Sequence, residues 1–146
     1  MRLTTFSDYS LRTLIYLGLR PDRLVTIADI AAAYDISANH LMKVVHQLAQ
    51  SGEIATVRGQ HGGLRLARKP EEINIGAVVR RTEPDMHLVP CFGSAAGCRI
   101  QPECFLASVL DEALSAFLGV LDRYTLANLL RAPERIAPLL GIPPAA

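Results

Sequence analysis

The fold is decided by residues 36–67, which are ISANHLMKVVHQLAQSGEIATVRGQHGGLRLA. The first half repeats apolar side chains at helical spacing, at Leu41, Val44, Val45 and Leu48. We expect Ser37 to cap this helix and Gly52 to end it. The second half predicts strands at residues 53–58 and 64–66, joined by a loop of glycine and basic residues. The stretch therefore predicts a helix followed by a β-hairpin.

Two helices are predicted before this stretch. Residues 7–19 place apolar side chains at mostly helical spacing, with Ser7 as the N-cap and Asp8 in the first turn, where a carboxylate suits the helix dipole. After a proline, Thr26 and Asp29 resemble a capping box that opens a short alanine-rich helix. Two short helices, a tight turn, a third helix and a hairpin together have the outline of a winged helix.

The longest predicted helix follows a segment without periodicity. We expect Asn74 to cap a short helix over residues 75–81, whereas residues 87–104 show no regular spacing. From residue 105 an apolar stripe runs at helical spacing: Leu106, Val109, Leu110, Ala113, Leu114, Phe117, Leu118 and Leu121. Because the domain before it has its own core, we expect this helix to pack against a second copy, giving a homodimer. A shorter helix near residues 126–130 and an irregular, proline-rich end complete the prediction.

The charges of the chain are unevenly distributed. Residues 1–82 hold eleven Lys and Arg against seven Asp and Glu, a net +4, and residues 83–146 hold four against seven, a net −3. The total is the formal +1 of the whole chain. A basic amino-terminal part is typical of a module that binds a polyanion.

Side chains on the third helix and the wing are the expected contacts with double-stranded DNA. Amide and cationic groups match base edges in the major groove, and arginines neutralise phosphates. A solvated helix face is the alternative, but the adjacent basic wing favours DNA because a second contacting element usually accompanies such a helix. The predicted contacts are Ser37, Asn39, His40, Lys43, Gln47, Arg58, Gln60, His61 and Arg65.

The amino terminus does not resemble a signal peptide, because Asp8 and Arg12 interrupt its apolar positions. Since no apolar run is long enough to span a bilayer, we expect a cytoplasmic protein with no membrane partner. Cysteines stay reduced in such a compartment.

All three cysteines of the chain, Cys91, Cys98 and Cys104, lie in one short segment. An odd number in a single loop cannot form a full disulfide framework, whereas thiolates spaced by six and five residues can bind a soft metal or an iron–sulfur cluster. A structural zinc ion with His87 as fourth ligand, a redox thiol pair and a catalytic cysteine are the alternatives. Zinc sites usually have paired C-x-x-C spacing, and no oxyanion hole is visible for catalysis. The wide spacing suits the bulkier cluster, and we expect no enzyme activity.

These residues resemble one known family over nearly the whole chain, the Rrf2-type winged-helix regulators that carry iron–sulfur clusters. The opening MRLTTFSDYSLRTLIYL, residues 36–67 and the three cysteines are each similar to the family pattern. The resemblance is to the nitric-oxide-sensing repressors within the family. It implies a homodimer whose long helix crosses to the partner, and a fold that is mainly α with a small β-hairpin wing.

The resemblance also implies a ligand set. Cys91, Cys98 and Cys104 would hold the cluster, with Asp8 of the other subunit as the fourth ligand, although a first-turn carboxylate also suits its own helix dipole. A sibling in the family uses a histidine just after the third cysteine, where this chain has Phe105. The cluster could be 4Fe–4S or 2Fe–2S, because three cysteines and a carboxylate can serve either.

These predictions together give an expected division of the chain into three parts. Residues 1–82 would form the winged helix-turn-helix DNA-binding domain, 83–104 the cluster-binding loop, and 105–146 the dimerisation helix and tail. The resemblance implies a repressor that binds palindromic operator DNA and is released when nitric oxide nitrosylates the cluster. The alternatives are another iron–sulfur or redox-sensing regulator of the family, or a zinc-stabilised DNA-binding or scaffold protein.

Overall fold

Three helices build the first half of the core. The structure, a computed structural model, describes residues 1–93 and 98–143. Helix α1 spans Thr5–Leu19, α2 spans Ile27–Tyr34 and α3 spans Ala38–Gln50. Their inward apolar side chains pack with those of the wing and of a fourth helix into one core. The predicted helix-turn-helix is confirmed.

The predicted N-cap of α1 at Ser7 is wrong. The helix begins at Thr5, and Thr4 is the N-cap, because its hydroxyl accepts a hydrogen bond from the Ser7 N–H at 3.2 Å. Ser7 is buried within the first turn. Thr4 is held in place by Glu83, whose carboxylate accepts a bond from the Thr4 N–H at 2.8 Å. That partner is 79 residues away in sequence, so the local pattern could not reveal it.

The predicted capping box of α2 is confirmed. The Thr26 hydroxyl accepts the Asp29 N–H at 3.1 Å, and the Asp29 carboxylate accepts the Thr26 N–H at 2.9 Å. The second bond holds the pKa of Asp29 below its usual value. Helix α2 ends at Asp35, which has φ 52° in the left-handed region. Within the described chain, Ser37 then takes the N-cap position of α3 but makes no side-chain capping bond.

The wing is a two-stranded antiparallel hairpin attached to the helices. Strand β1 spans Ile54–Val57 and β2 spans Gly63–Leu66, with Ile54 opposite Leu66. On the other edge of β2, Leu64 exchanges backbone hydrogen bonds of 3.0 and 2.7 Å with Val25. A β-carbon on Gly62 would lie 2.1 Å from the Val57 carbonyl oxygen, so the turn requires glycine there. The predicted hairpin is confirmed.

Helix α4 follows as predicted, spanning Ile75–Thr82, with the Asn74 carboxamide accepting the Ala77 N–H at 2.9 Å. Helix α5 spans Phe105–Asp122, α6 spans Leu126–Leu129 and α7 spans Pro133–Ile136. Short 3-10 turns occupy Pro70–Glu72, Pro90–Phe92, Gln101–Glu103 and Ala137–Leu140. No helix in the described residues is both long and apolar enough to cross a membrane.

The chain after α5 returns to the first domain. Leu126 and Ile142 are buried in the same core as α1 and α3. Leu130 lies against Gly18, where an added β-carbon would sit 2.5 Å from its Cδ1. The described part of the tail therefore packs on the core, whereas the predicted irregular end falls partly on residues 144–146, which lie outside the described residues. The expected division at residues 82 and 104 stays a prediction. Buried side chains from before residue 82 and after residue 104 share this core.

Thr26→Ala tests the capping box. Loss of the hydroxyl leaves the Asp29 N–H without its acceptor, so we expect unfolding free energy to fall by about 1 kcal/mol. Thr26→Ser keeps the hydroxyl and is the matched control. Denaturant melts of the three proteins measure the difference, and equal midpoints for Thr26→Ala and wild type would contradict the proposed role of the cap.

Candidate nucleic-acid interface and metal site

The orientation of α3 is set by its apolar stripe. Leu41, Val44 and Leu48 are almost completely buried against the core. The opposite face of the helix is consequently directed to solvent. The predicted DNA contacts that lie exposed on or just before this helix are Ser37, Asn39, His40 and Lys43.

His40 also contacts the first helix. Its ring lies 6.2 Å from that of Tyr9, centroid to centroid, with the planes tilted by 43°. The pair joins the start of α3 to the first half of α1, one residue after Asp8. Aromatic pairs of this spacing contribute to packing.

Gln47 differs from the other predicted contacts. It is half-buried, and its carboxamide donates to the backbone carbonyl of Arg81 at 2.8 Å. This bond directs the amide toward α4 rather than outward. Among the described residues, Gln47 is the one predicted contact whose side chain forms a hydrogen bond within the molecule.

Met42 was missed by sequence reasoning. Its side chain is 54% exposed on the outer side of α3, between His40 and Lys43. An apolar group there suits the methyl group of thymine in the major groove. The signal was present in the sequence, because Met42 lies outside the apolar stripe of the helix.

The wing presents the remaining predicted contacts. Arg58, Gln60, His61 and Arg65 are all exposed. Arg65 is on β2 opposite Ala55, whereas the other three lie in the connecting loop. With α3 beside it, the wing forms a second exposed element carrying positive charge, which suits a phosphate backbone.

Asp8 lies in the first turn of α1, and its side chain is 44% exposed. Its carboxylate pairs with Arg12 at 3.0 Å, one helical turn later. The Arg12 guanidinium lies 5.6 Å from the ring centroid of Tyr34 at the end of α2. Burial raises the pKa of Tyr34 to about 12, with the Arg12 charge acting in the opposite direction.

The three cysteines are free thiols at three different positions. Cys91 lies half-buried in a 3-10 turn, Cys98 is exposed, and Cys104 occupies the N-cap of α5. Residues 94–97, in the predicted cluster loop, lie outside the described residues. Within the residues that are described, one chain brings no three metal-binding side chains together. The predicted ligand set, which takes Asp8 from a second chain, stays a prediction.

The chemistry of the donor set nevertheless fits an iron–sulfur cluster. Three reduced thiols on one segment are the ligand type that such clusters require. Cys104 stands at the amino terminus of an 18-residue helix, where negative charge is favoured. His87, the alternative zinc ligand, is exposed and lies against Gly93, where an added β-carbon would be 3.2 Å from its Nδ1.

Helix α5 is incompletely covered within one chain. None of its 18 residues, all of them described, is buried. Phe105 is 80% exposed and Leu106 is 60% exposed. An apolar cavity of about 480 Å³ lies between α5, α4 and the start of α1. Its lining includes Leu3, Leu11, Val79, Leu114, Phe117 and Leu121.

An exposed recognition-type helix beside a basic hairpin defines a winged-helix DNA-binding protein. The Rrf2 family, described as "Iron-dependent Transcriptional regulator", matches residues 3–132. The chain belongs to this family of transcriptional regulators, which are not enzymes.

Curated relatives agree with the family match over nearly full length. The HTH-type transcriptional regulator NsrR of Bacillus subtilis is 52% identical, covering 96% of this chain and 97% of its own. The regulator of the same name from Halalkalibacterium halodurans is 49% identical, covering 99% and 100%.

Solved structures confirm the fold. T. potens IscR has a TM-score of 0.73 at 26% identity, covering 93% of this chain and 90% of that one. CymR of Staphylococcus aureus, in its oxidized form, has a TM-score of 0.70 at 26% identity, covering 90% and 97%.

Lys43→Ala tests the exposed face of α3. If Lys43 binds a base, we expect binding to the preferred duplex to weaken by about 1 to 3 kcal/mol, with relaxed preference at one position. Salt titrations on a preferred and a random duplex measure this. An equal loss on both would instead place Lys43 at a phosphate, and no loss on either would remove it from the interface. Arg131→Ala is the control for the change in net charge, because it removes one positive charge at an exposed residue outside α3 and the wing.

Proposed function

We propose that this regulator is an iron–sulfur-dependent repressor. In this proposal it binds palindromic operator DNA as a homodimer and leaves the operator when nitric oxide reacts with the cluster. The observation that carries the proposal is the concentration of three free thiols in one segment of a winged-helix chain. The name shared by its relatives supports the nitric-oxide branch of the family.

Cys91, Cys98 and Cys104 are the proposed protein ligands. They lie in and around two 3-10 turns, between α4 of the DNA-binding domain and α5. Because α4 and α5 flank this segment directly, ligation would restrain both helices. When bound, the cluster supplies iron that reacts with nitric oxide.

Asp8 of a second copy is the proposed fourth ligand. Its carboxylate is nearly half exposed, and its pair with Arg12 is accessible to solvent, with side chains 44% and 41% exposed. Exposed ion pairs contribute little free energy, so Asp8 can give up Arg12 at small cost. The first half of α1 also carries Tyr9, which contacts His40 on α3. Asp8 is therefore next in sequence to a residue that contacts the proposed DNA-contacting face.

The apolar face of α5 supports the homodimer. Phe105, Leu106, Val109 and Val120 are each at least 44% exposed in one chain. Large apolar side chains exposed along the length of one helix suit the interface with a protein partner. A second copy brings a second α3 and wing, so two half-sites in an inverted repeat are the expected operator. We place the protein in the cytoplasm, where that DNA would be.

The proposed DNA contacts are Ser37, Asn39, His40 and Lys43 from the α3 face and Arg58, Gln60, His61 and Arg65 from the wing. Asn39 and Lys43 offer the donors that base edges accept, and the arginines suit phosphates. Gln47 is left out because its carboxamide is bonded to Arg81. A signal that takes operator occupancy from nearly full to nearly empty must change DNA affinity by about 5.5 kcal/mol.

Cys98→Ala tests the proposed cofactor. Without this thiolate we expect anaerobically purified protein to be colourless, poor in iron and unable to bind tightly to a duplex selected by the wild-type protein. Absorbance, iron and sulfide analysis and gel shift measure these effects. Ile100→Ala, at an exposed residue of the same segment, should retain colour and binding.

Two results would contradict the proposal. A wild-type protein that is colourless and contains zinc would favour the zinc-stabilised alternative. An iron-rich wild type whose operator binding does not change with a nitric oxide donor would remove nitric oxide as the signal.

A further inference from the structure

Glu53 is a buried carboxylate at the base of the wing. It lies between the end of α3 and the start of β1, and the residue is completely buried. Its backbone N–H donates to the Leu48 carbonyl at 3.0 Å, and its carbonyl accepts the Ala67 N–H at 2.9 Å. Glu53 is thereby fixed to the end of α3 on one side and to the end of the wing on the other.

The Glu53 carboxylate has two partners. One oxygen accepts a hydrogen bond from the Arg81 guanidinium, and the other accepts one from the Ser51 hydroxyl. A buried charge is costly unless it is paired and hydrogen-bonded. The base of the wing therefore depends on Arg81, which belongs to the last turn of α4.

Arg81 also holds α3 through its backbone. Its carbonyl accepts the bond from Gln47, at 2.8 Å, while its guanidinium binds Glu53. The recognition helix and the wing are thus both bonded to the same residue. Hydrogen bonds are directional, unlike apolar contacts, and fix an angle as well as a distance.

Helix α4 is itself anchored on its other side. The neighbouring Arg80 donates to the Asp122 carboxylate of α5 at 2.8 Å. This hydrogen bond holds the pKa of Asp122 below its usual value and raises that of Arg80. Asn74 at the start of α4 donates to the Asp122 carbonyl at 2.7 Å. Residue 81 is therefore part of a helix that is fixed at both ends.

We propose that Glu53, Arg81 and Gln47 form a positioning cluster that sets the angle between the recognition helix and the wing. The two elements must meet base edges and phosphates at the same time, so an error in their relative orientation costs specific contacts first. Random-sequence binding needs only charge near phosphates and tolerates the error. This inference uses the DNA-binding function of the family and is independent of the proposed cluster and of nitric oxide.

The test compares the full-length variants Glu53→Gln, Arg81→Gln, Arg81→Lys and Gln47→Ala with wild type. Each is assayed against a duplex that the wild-type protein selects from a random pool, and against a random duplex of equal length. Arg20→Gln is the matched control, because it removes the same charge from an ion pair with Asp22 that includes no residue of α3 or the wing. Thermal melts set an assay temperature at which every variant is folded.

We expect Glu53→Gln and Arg81→Gln to weaken binding to the selected duplex roughly tenfold or more, while random-duplex binding changes less than about twofold. Arg81→Lys keeps the charge and should restore part of the loss. Gln47→Ala, a change at a half-buried side chain, should lower selected-duplex binding without altering the preference at any one base pair. Arg20→Gln should match wild type on both duplexes.

The inference is overturned if the folded Glu53→Gln and Arg81→Gln proteins keep the wild-type ratio of selected to random binding. An equal loss of binding to both duplexes would leave that ratio unchanged. It would therefore overturn the inference and indicate that Arg81 contacts a phosphate. A changed preference at a single base pair in Gln47→Ala would return Gln47 to the DNA interface. All proteins are prepared in the same way and compared as the ratio of selected to random binding, while iron content and the response to nitric oxide are measured separately, so a failure of the proposed cofactor is distinguishable from a failure of this inference.

Discussion

The buried apolar stripe of α3 is the constraint on which the rest of the structure depends. Leu41 and Val44 are almost wholly excluded from solvent, and burial of such side chains is the main driving force of folding. With that face fixed inward, the helical geometry leaves Asn39, His40 and Lys43 outside. The surface that a DNA-binding regulator needs is thus a consequence of how its core packs.

Polar contacts then orient the elements around this core. Thr4 and Glu83 connect the start of α1 to the end of α4, and Glu53 and Arg81 connect the wing to the same helix. Helix α4 is therefore bonded to α1, α3 and the base of the wing, and it precedes the cysteine segment in the chain. Any restraint on that segment acts on a helix that already positions α3 and the wing.

Local patterns predicted most of the fold and some of the site. Three features depend on residues close together in the chain: the periodicity of α3, the capping box at Thr26 and the glycine-rich turn of the wing. Each could therefore be predicted from the local sequence. The N-cap of α1 was misplaced because Thr4 and Ser7 have the same capping chemistry and only a distant carboxylate, Glu83, favours the former. Met42 was overlooked although its place outside the apolar stripe was visible.

The sequence by itself determined the winged-helix outline, the exposed basic face and the three clustered thiols, because these follow from side-chain period and residue type. Only the tertiary structure decided that Gln47 bonds to Arg81, that Glu53 is a buried charge and that the tail returns to the core at Ile142. These features join residues far apart in the chain. Their energies depend on burial and on directional partners, which no local pattern contains.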